Sequence, residues 1–154
     1  MLHPFSYVSA RSKEEAVSLL ASLPDAALIA GGTDMVVRMR RGETHRHLID
    51  VAAVAEIAGI EVQDGRLRIG AGATHARIAA DAAVRKACAG LATACSQVGS
   101  PQIRHMGTLG GNLANASPAA DSLAPLLVHN AEATLESAGA ARREAIERLI
   151  TALD

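Results

Sequence analysis

The chain has 154 residues and a formal charge of -1 with its six histidines neutral. That is enough for one medium domain or two small lobes sharing a surface, and it lacks the basic excess needed to wrap a nucleic acid. Apolar residues make up 49% of the chain, but Phe5 and Tyr7 are its only aromatics, so small aliphatic side chains must fill the core in closely packed layers. No apolar run is long enough to cross a bilayer, and the N-terminus has no basic-then-apolar leader pattern. No membrane insertion and a cytoplasmic setting are therefore expected.

Residues 2–9 form a short N-terminal segment holding both aromatics. Ser12, with Glu15 three residues later, reads as a capping box ahead of Ala16, Val17, Leu19 and Leu20, predicting a helix of about three turns that closes before Pro24. Ala27–Ala30 suits a short buried strand. Gly31 and Gly32 break it, Thr33 or Asp34 caps a helix through Met35, Val36, Val37 and Met39, and Gly42 is its C′ residue. Strand, glycine turn and helix start is the order that leaves backbone N–H groups free for a phosphate. The run Arg38, Arg40 and Arg41 falls at that helix's end, where dipole and solvation account for it. His47–Val51 predicts a second strand, with Asp50 capping the following turn.

Ile57, Ile60 and Val62 lead into Asp64-Gly65, a hairpin turn signal, and Leu67 and Ile69 return at period two until Gly70 and Gly72 interrupt them. Thr74–Ala80 and Val84–Ser96 predict two alanine-rich helices. Cys88 and Cys95 fall in the second, two turns and about 10 Å apart, which excludes a disulfide and gives no metal or cluster spacing. Residues 99–121, GSPQIRHMGTLGGNLANASPAAD, carry four glycines, two asparagines and two prolines with little charge. This composition predicts turns with N–H groups aimed at a partner, not a regular element. Ser122–Val128 then predicts a short helix, Ala131–Ser137 a strand, Gly139 a turn, and Ala145–Leu153 an amphipathic helix spaced on Ile146, Leu149, Ile150 and Leu153.

Two stretches carry candidate chemistry. In AGGTD, residues 30–34, the glycines would let backbone approach a pyrophosphate, Thr33 would donate a hydroxyl, and Asp34 would fix the turn or accept a ligand hydrogen bond. The alternative is an ordinary capped strand-to-helix turn. It is not GxGxxG and gives no direct support for a dinucleotide site of that type. In GTLGGN, residues 107–112, Thr108 and Asn112 add directional hydrogen bonds to the same close approach, with Asn115, Ser117 and Asp121 nearby. The six histidines have no H-E-x-x-H or carboxylate-rich company, so no metal site is expected, and no nucleophile, base and acid assemble into a catalytic set.

These motifs and their flanks, AGGTD at 30–34, IGAGATH at 69–75 and VGSPQIRHMGTLGGNLANASPAAD at 98–121, resemble the N-terminal half of the FAD-binding medium subunit of the molybdenum hydroxylases. That is the family of xanthine dehydrogenase and aerobic carbon monoxide dehydrogenase. The resemblance runs from Phe5 to about Gly139. It implies an α+β, PCMH-type (vanillyl-alcohol-oxidase-like) FAD-binding fold in two lobes, residues 1–53 and 54–154, lacking the family's C-terminal domain. It places FAD between the lobes, with Ala30, Gly31, Gly32, Thr33 and Asp34 and also Thr108, Leu109, Gly110, Gly111 and Asn112 at the pyrophosphate. Ser117 and Asp121 match positions near the flavin and ribityl chain, and Ile69 and Gly70 a stretch near the adenine.

The resemblance further implies an electron outlet. Molybdopterin would sit in a large partner subunit and [2Fe-2S] clusters in a small one, with NAD or oxygen as acceptor. Two departures are visible: His105 stands where the family usually has asparagine, and the ending RREAIERLITALD departs from the family's continuation. The expected alternatives are a truncated standalone flavin-binding or assembly module, and an interaction domain that has lost FAD.

Overall fold

A computed structural model describes residues 2–115, 117 and 120–151. Strands β1 (Ser6–Ser9), β2 (Ala26–Ile29) and β3 (His47–Asp50) form a parallel sheet in the order β1-β3-β2, with Tyr7 and Ala27 flanking Leu48, and Val8 and Leu28 flanking Ile49. The central strand is apolar on both sides because both faces are covered, as parallel sheets require. Ile49 is packed with Ala10, Ala16, Val51 and Val54, whereas Leu48 is packed with Ile29 and Met39. Ala16 belongs to helix α1 (Lys13–Ser22) and Met39 to α2 (Met35–Arg40). The Ser12 cap forms as the sequence predicts, with Glu15 N donating to Ser12 Oγ, while the Glu15 carboxylate accepts from Arg11 N, one residue ahead of the cap. Of the two edge strands β2 is largely covered and β1 is exposed, and β1 lay hidden in the sequence because its residues are mostly solvated.

After a 3-10 turn at Ala55–Ile57, β4 (Ile60–Gln63) and β5 (Arg66–Ile69) pair as an antiparallel hairpin. Asp64 and Gly65, with φ of 52° and 73°, make its turn. Helices α3 (His75–Ala80), α4 (Ala82–Ala87) and α5 (Ala89–Gln97) follow. The single helix expected over 84–96 is two, because the chain turns at Cys88 (φ -145°, ψ 63°). Asp81 Oδ1 caps α4 by accepting from Ala83 N and Val84 N. The bend lets Val84 from one helix and Leu91, Ala92 and Cys95 from the next reach one core with Ala73, Ile78 and Leu109. Burial of packed side chains outweighs the continuity of an alanine-rich helix.

The stretch predicted to be turns contains two short helices, α6 (Pro101–Met106) and α7 (Leu109–Ala114). Ser100 Oγ accepts from Ile103 N and Thr108 Oγ1 from Gly111 N, so two good N-caps, one followed by Pro101 at the first turn, override weak interior propensity. Helix α8 (Leu123–Val128) tolerates Pro125 because it lies in the first turn. Strands β6 (Glu132–Ser137) and β7 (Ala140–Ala145) then form a second hairpin, and α9 (Ile146–Thr151) follows. β7 escaped the sequence reading because AARREA is largely exposed and does not alternate. Helix α9 is attached to the core, with Ile146 buried against Ala120 and Leu123.

Ile49, with no exposed surface, holds the central strand to α1. Ile49→Ala is expected to cost about 2–5 kcal/mol in urea unfolding. Val62→Ala on the exposed side of the β4–β5 hairpin should change stability by less than about 0.5 kcal/mol.

Candidate functional site

Three glycine-containing segments, distant in sequence, meet at residues 106–110. The turn after β2 comes so close that a Cβ on Gly31 would overlap the Met106 carbonyl oxygen and lie 3.0 Å from Gly107 N. The segment after β5 is tied to the same place by backbone hydrogen bonds: Gly110 N donates to Ala71 O at 2.8 Å, Leu109 N to Ala73 O at 3.0 Å, and His75 N to Gly107 O at 3.1 Å. A Cβ on Gly110 would lie 2.6 Å from that of Ala71. Both glycines are required by close approach, since larger residues would push the segments apart.

In the first segment, Gly32 adopts φ of 67° and turns the chain into α2. Val36 N donates to Gly32 O and Arg38 N to Asp34 O, but the N–H groups of Gly31, Gly32, Thr33 and Asp34 have no acceptor among the described residues. Thr33 Oγ1 donates to Asp34 Oδ2 at 3.4 Å, and Asp34 occupies the N-cap position without a side-chain cap bond. Consecutive free amides at a half-buried turn ahead of a helix form a concentration of partial positive charge suited to a phosphate.

The second segment differs from what its composition predicts. Its N–H groups point at protein: Leu109 and Gly110 bond to the segment after β5, Gly111 to Thr108 Oγ1, and Asn112 to Thr108 O. Thr108 is buried and is spent on the cap. What this segment offers outward is the exposed surface of Gly111, where a Cβ would meet only Thr108 Oγ1 at 3.0 Å, and the carboxamide of Asn112. Asn112 Oδ1 accepts from Ser122 Oγ at 2.5 Å. Ser117 O accepts from Ala120 N, which shapes the approach to Asp121. Ile69 packs against the helical core, and a Cβ on Gly70 would overlap the Ile57 carbonyl oxygen.

Two residues here, read from sequence as a packing histidine and a helix-end arginine, have partners that the sequence did not reveal. His75 is only 2% exposed at the first position of α3, its ring against Gly107 and its Nδ1 without a partner among the described residues. Burial lowers its pKa below the ordinary histidine value, while the fields of Asp121 and Asp34 oppose that shift. It is a neutral ring at the junction of the three segments. Arg38, assigned from sequence to helix-end solvation, instead pairs with Glu43 through Nε (2.6 Å) and Nη2 (2.5 Å) and donates from Nη1 to Asn115 Oδ1 at 3.1 Å. The guanidinium and His45 hold the Glu43 carboxyl at about 2. The sequence signals available were the buried position implied by Thr74-His75 after a capped start and the Arg38/Glu43 spacing at a helix end. Neither reveals its distant partner. Burial also pushes the Cys95 thiol up to about 12, and among the described residues no three His, Cys, Asp or Glu side chains gather to hold a metal.

Residues 3–154 match the family described as the FAD binding domain in molybdopterin dehydrogenase. The match therefore continues to the end of the chain and corrects the expectation that likeness stops near Gly139. The chain is 37% identical over 134 residues to the xanthine dehydrogenase FAD-binding subunit of Escherichia coli O157:H7, covering 86% of this chain and 46% of that protein. It is also 37% identical over 142 residues to the nicotinate dehydrogenase FAD-subunit of Eubacterium barkeri, covering 90% and 48%. A solved carbon monoxide dehydrogenase from Hydrogenophaga pseudoflava superposes with a TM-score of 0.91 at 31% identity, over 96% of this chain and 52% of that one. The chain spans about half the length of the relatives it matches.

Two outcomes follow from this geometry. Gly31→Ala and Gly110→Ala should each lower the thermal midpoint by several degrees, about 1–3 kcal/mol, whereas Gly111→Ala, which meets only a hydroxyl at 3.0 Å, should change it much less. Because His75 has a lowered folded pKa, the unfolded chain binds the extra proton between that value and about 6.5, so stability present above about pH 6.5 declines as pH falls through this window. Urea unfolding at about pH 7.5 and 5.5 should show a larger loss for the wild type than for His75→Gln.

Proposed function

The chain belongs to the family of FAD binding domains in molybdopterin dehydrogenases, and on that premise we propose that it carries FAD as part of a molybdenum hydroxylase's medium subunit. In this reading it works beside a large molybdopterin-binding subunit and a small [2Fe-2S] subunit and passes their electrons to NAD or oxygen. The observation that carries the proposal is the row of free amides from Gly31 to Asp34, held against residues 106–110.

The residues present fit the cofactor. The Gly31–Asp34 amides would hold its pyrophosphate, with the Ala30 backbone leading the strand into the turn and the Thr33 hydroxyl beside it. From the other side, Thr108 and Leu109 would act by fixing the start of α7, Gly110 by admitting the segment after β5, Gly111 by clearing space, and Asn112 by its carboxamide. Ser117 and Asp121 would face the ribityl chain, and the backbone at Ile69 and Gly70 the adenine. The cofactor would thus lie between an N-terminal lobe, residues 1–53, and the remainder, residues 54–154. FAD would supply the redox chemistry, linking one-electron clusters to a two-electron acceptor. The chain's own contribution is binding and orientation: preformed donors need no reorganisation when an anion arrives, and the neutral His75 adds no charge to the site.

Titrating FAD into the 154-residue chain, followed by flavin fluorescence and absorbance, should show saturable binding. Gly110→Ala should weaken it by about tenfold or more, and Cys88→Ser, whose thiol lies in the helical core and outside the row of free amides, should leave it within about twofold. A folded wild-type chain that shows no saturation would overturn the proposal and favour an interaction domain.

A further inference from the structure

Asn115 lies at the end of α7, three residues after Asn112, so the two carboxamides share a helix face. Each has its oxygen already engaged: Asn112 Oδ1 by Ser122 Oγ, and Asn115 Oδ1 by Arg38 Nη1. The second contact fixes an orientation, because a guanidinium has only donors and the amide must turn its oxygen towards it. The NH2 group of Asn115 therefore points away from Arg38 with no acceptor among the described residues.

Arg38 is itself poorly placed to bind an anion. Its Nε and one Nη2 hydrogen are clamped by the Glu43 carboxylate, which cancels its charge locally, and one Nη1 hydrogen goes to Asn115. The clamp is held from behind by His45, whose Nε2 lies 2.8 Å from Glu43 Oε1. What the network does is hold a guanidinium edge still against Asn115. It also forms a side-chain link between α2, which follows the free amides of Gly31–Asp34, and α7, which follows the Thr108 cap.

The geometry points to Asn115 as a further contact to the cofactor, its carboxamide NH2 donating to an oxygen of FAD, with Arg38 as the positioning residue that turns it. This rests on the reading of the site as an FAD site. The contrasting possibility is that the Arg38–Asn115 bond only ties two helices together.

Asn115→Asp separates the two. A carboxylate accepts from Arg38 at least as well as the amide does, so the tie survives, but the donor is replaced by a negative acceptor. The expected result for the full chain is a thermal midpoint at or above the wild-type value together with FAD affinity weakened by about tenfold or more. Arg38→Met should weaken FAD by a smaller factor, and Arg38→Lys should recover part of that loss, since an ammonium still donates to the amide oxygen. Asn115→Ala, which removes both functions, provides a second test if the Asp variant folds poorly. Wild-type affinity in both Asn115 variants, while the wild-type chain binds FAD and Gly110→Ala binds it more weakly, would overturn this inference alone. Failure of the wild-type chain to bind FAD would overturn the site reading and this inference with it.

Discussion

The closeness of main chain at residues 106–110 governs most of this structure. Gly31 allows the turn after β2 to rest on the Met106 carbonyl, and Gly110 allows the segment after β5 to come within hydrogen-bonding distance through Ala71 and Ala73. Side-chain packing between separate elements ordinarily keeps backbones several ångströms further apart. Here the contact is between bare peptide groups, so the positions of three loops are set by bond lengths and not by adaptable side chains. A preformed site follows from that rigidity.

The two glycine motifs then divide the work in a way that their similar composition does not reveal. In the second, the early amides of α7 are consumed by Ala71, Ala73 and Thr108, which makes it a fixed wall. In the first, the amides from Gly31 to Asp34 are left without an acceptor among the described residues, in a turn with positive φ at Gly32. A buried peptide group without a partner is costly, but these residues are half-buried and keep access to solvent or ligand. The fold thus tolerates free donors where an anion can reach them and satisfies the rest internally.

Much of the fold was legible because local signals agreed with the tertiary outcome. The Ser12/Glu15 box, the apolar run before Gly31, the Asp64-Gly65 turn and the Ile146 spacing each specify an element without help. The misses share a cause. β1 and β7 are exposed edge strands with little apolar alternation, α4 and α5 part at Cys88 to serve a common core, α6 starts on the Ser100 cap, and α7 exists because the Thr108 cap outweighs the glycines and asparagine inside it. At the site, the residues adjacent to glycines could be read from the chain, since glycine marks close approach. His75 and Arg38 could not, because their roles depend on partners 32 and 77 residues away, Gly107 and Asn115.

Those long-range contacts carry a consequence for how the site keeps its shape. The backbone bonds from 71–75 to 107–110 hold the wall from one side, and the Arg38–Asn115 contact holds the far end of α7 from the other. Between these anchors α7 is a single short helix of low intrinsic propensity, with two glycines in six residues. Alone it would not persist. Fastened at both ends, it cannot fray at either end without breaking a contact outside itself. The glycines that weaken the helix are thus affordable because tertiary contacts have replaced propensity: Gly110 admits the segment after β5, and Gly111 leaves the outward face of the helix clear.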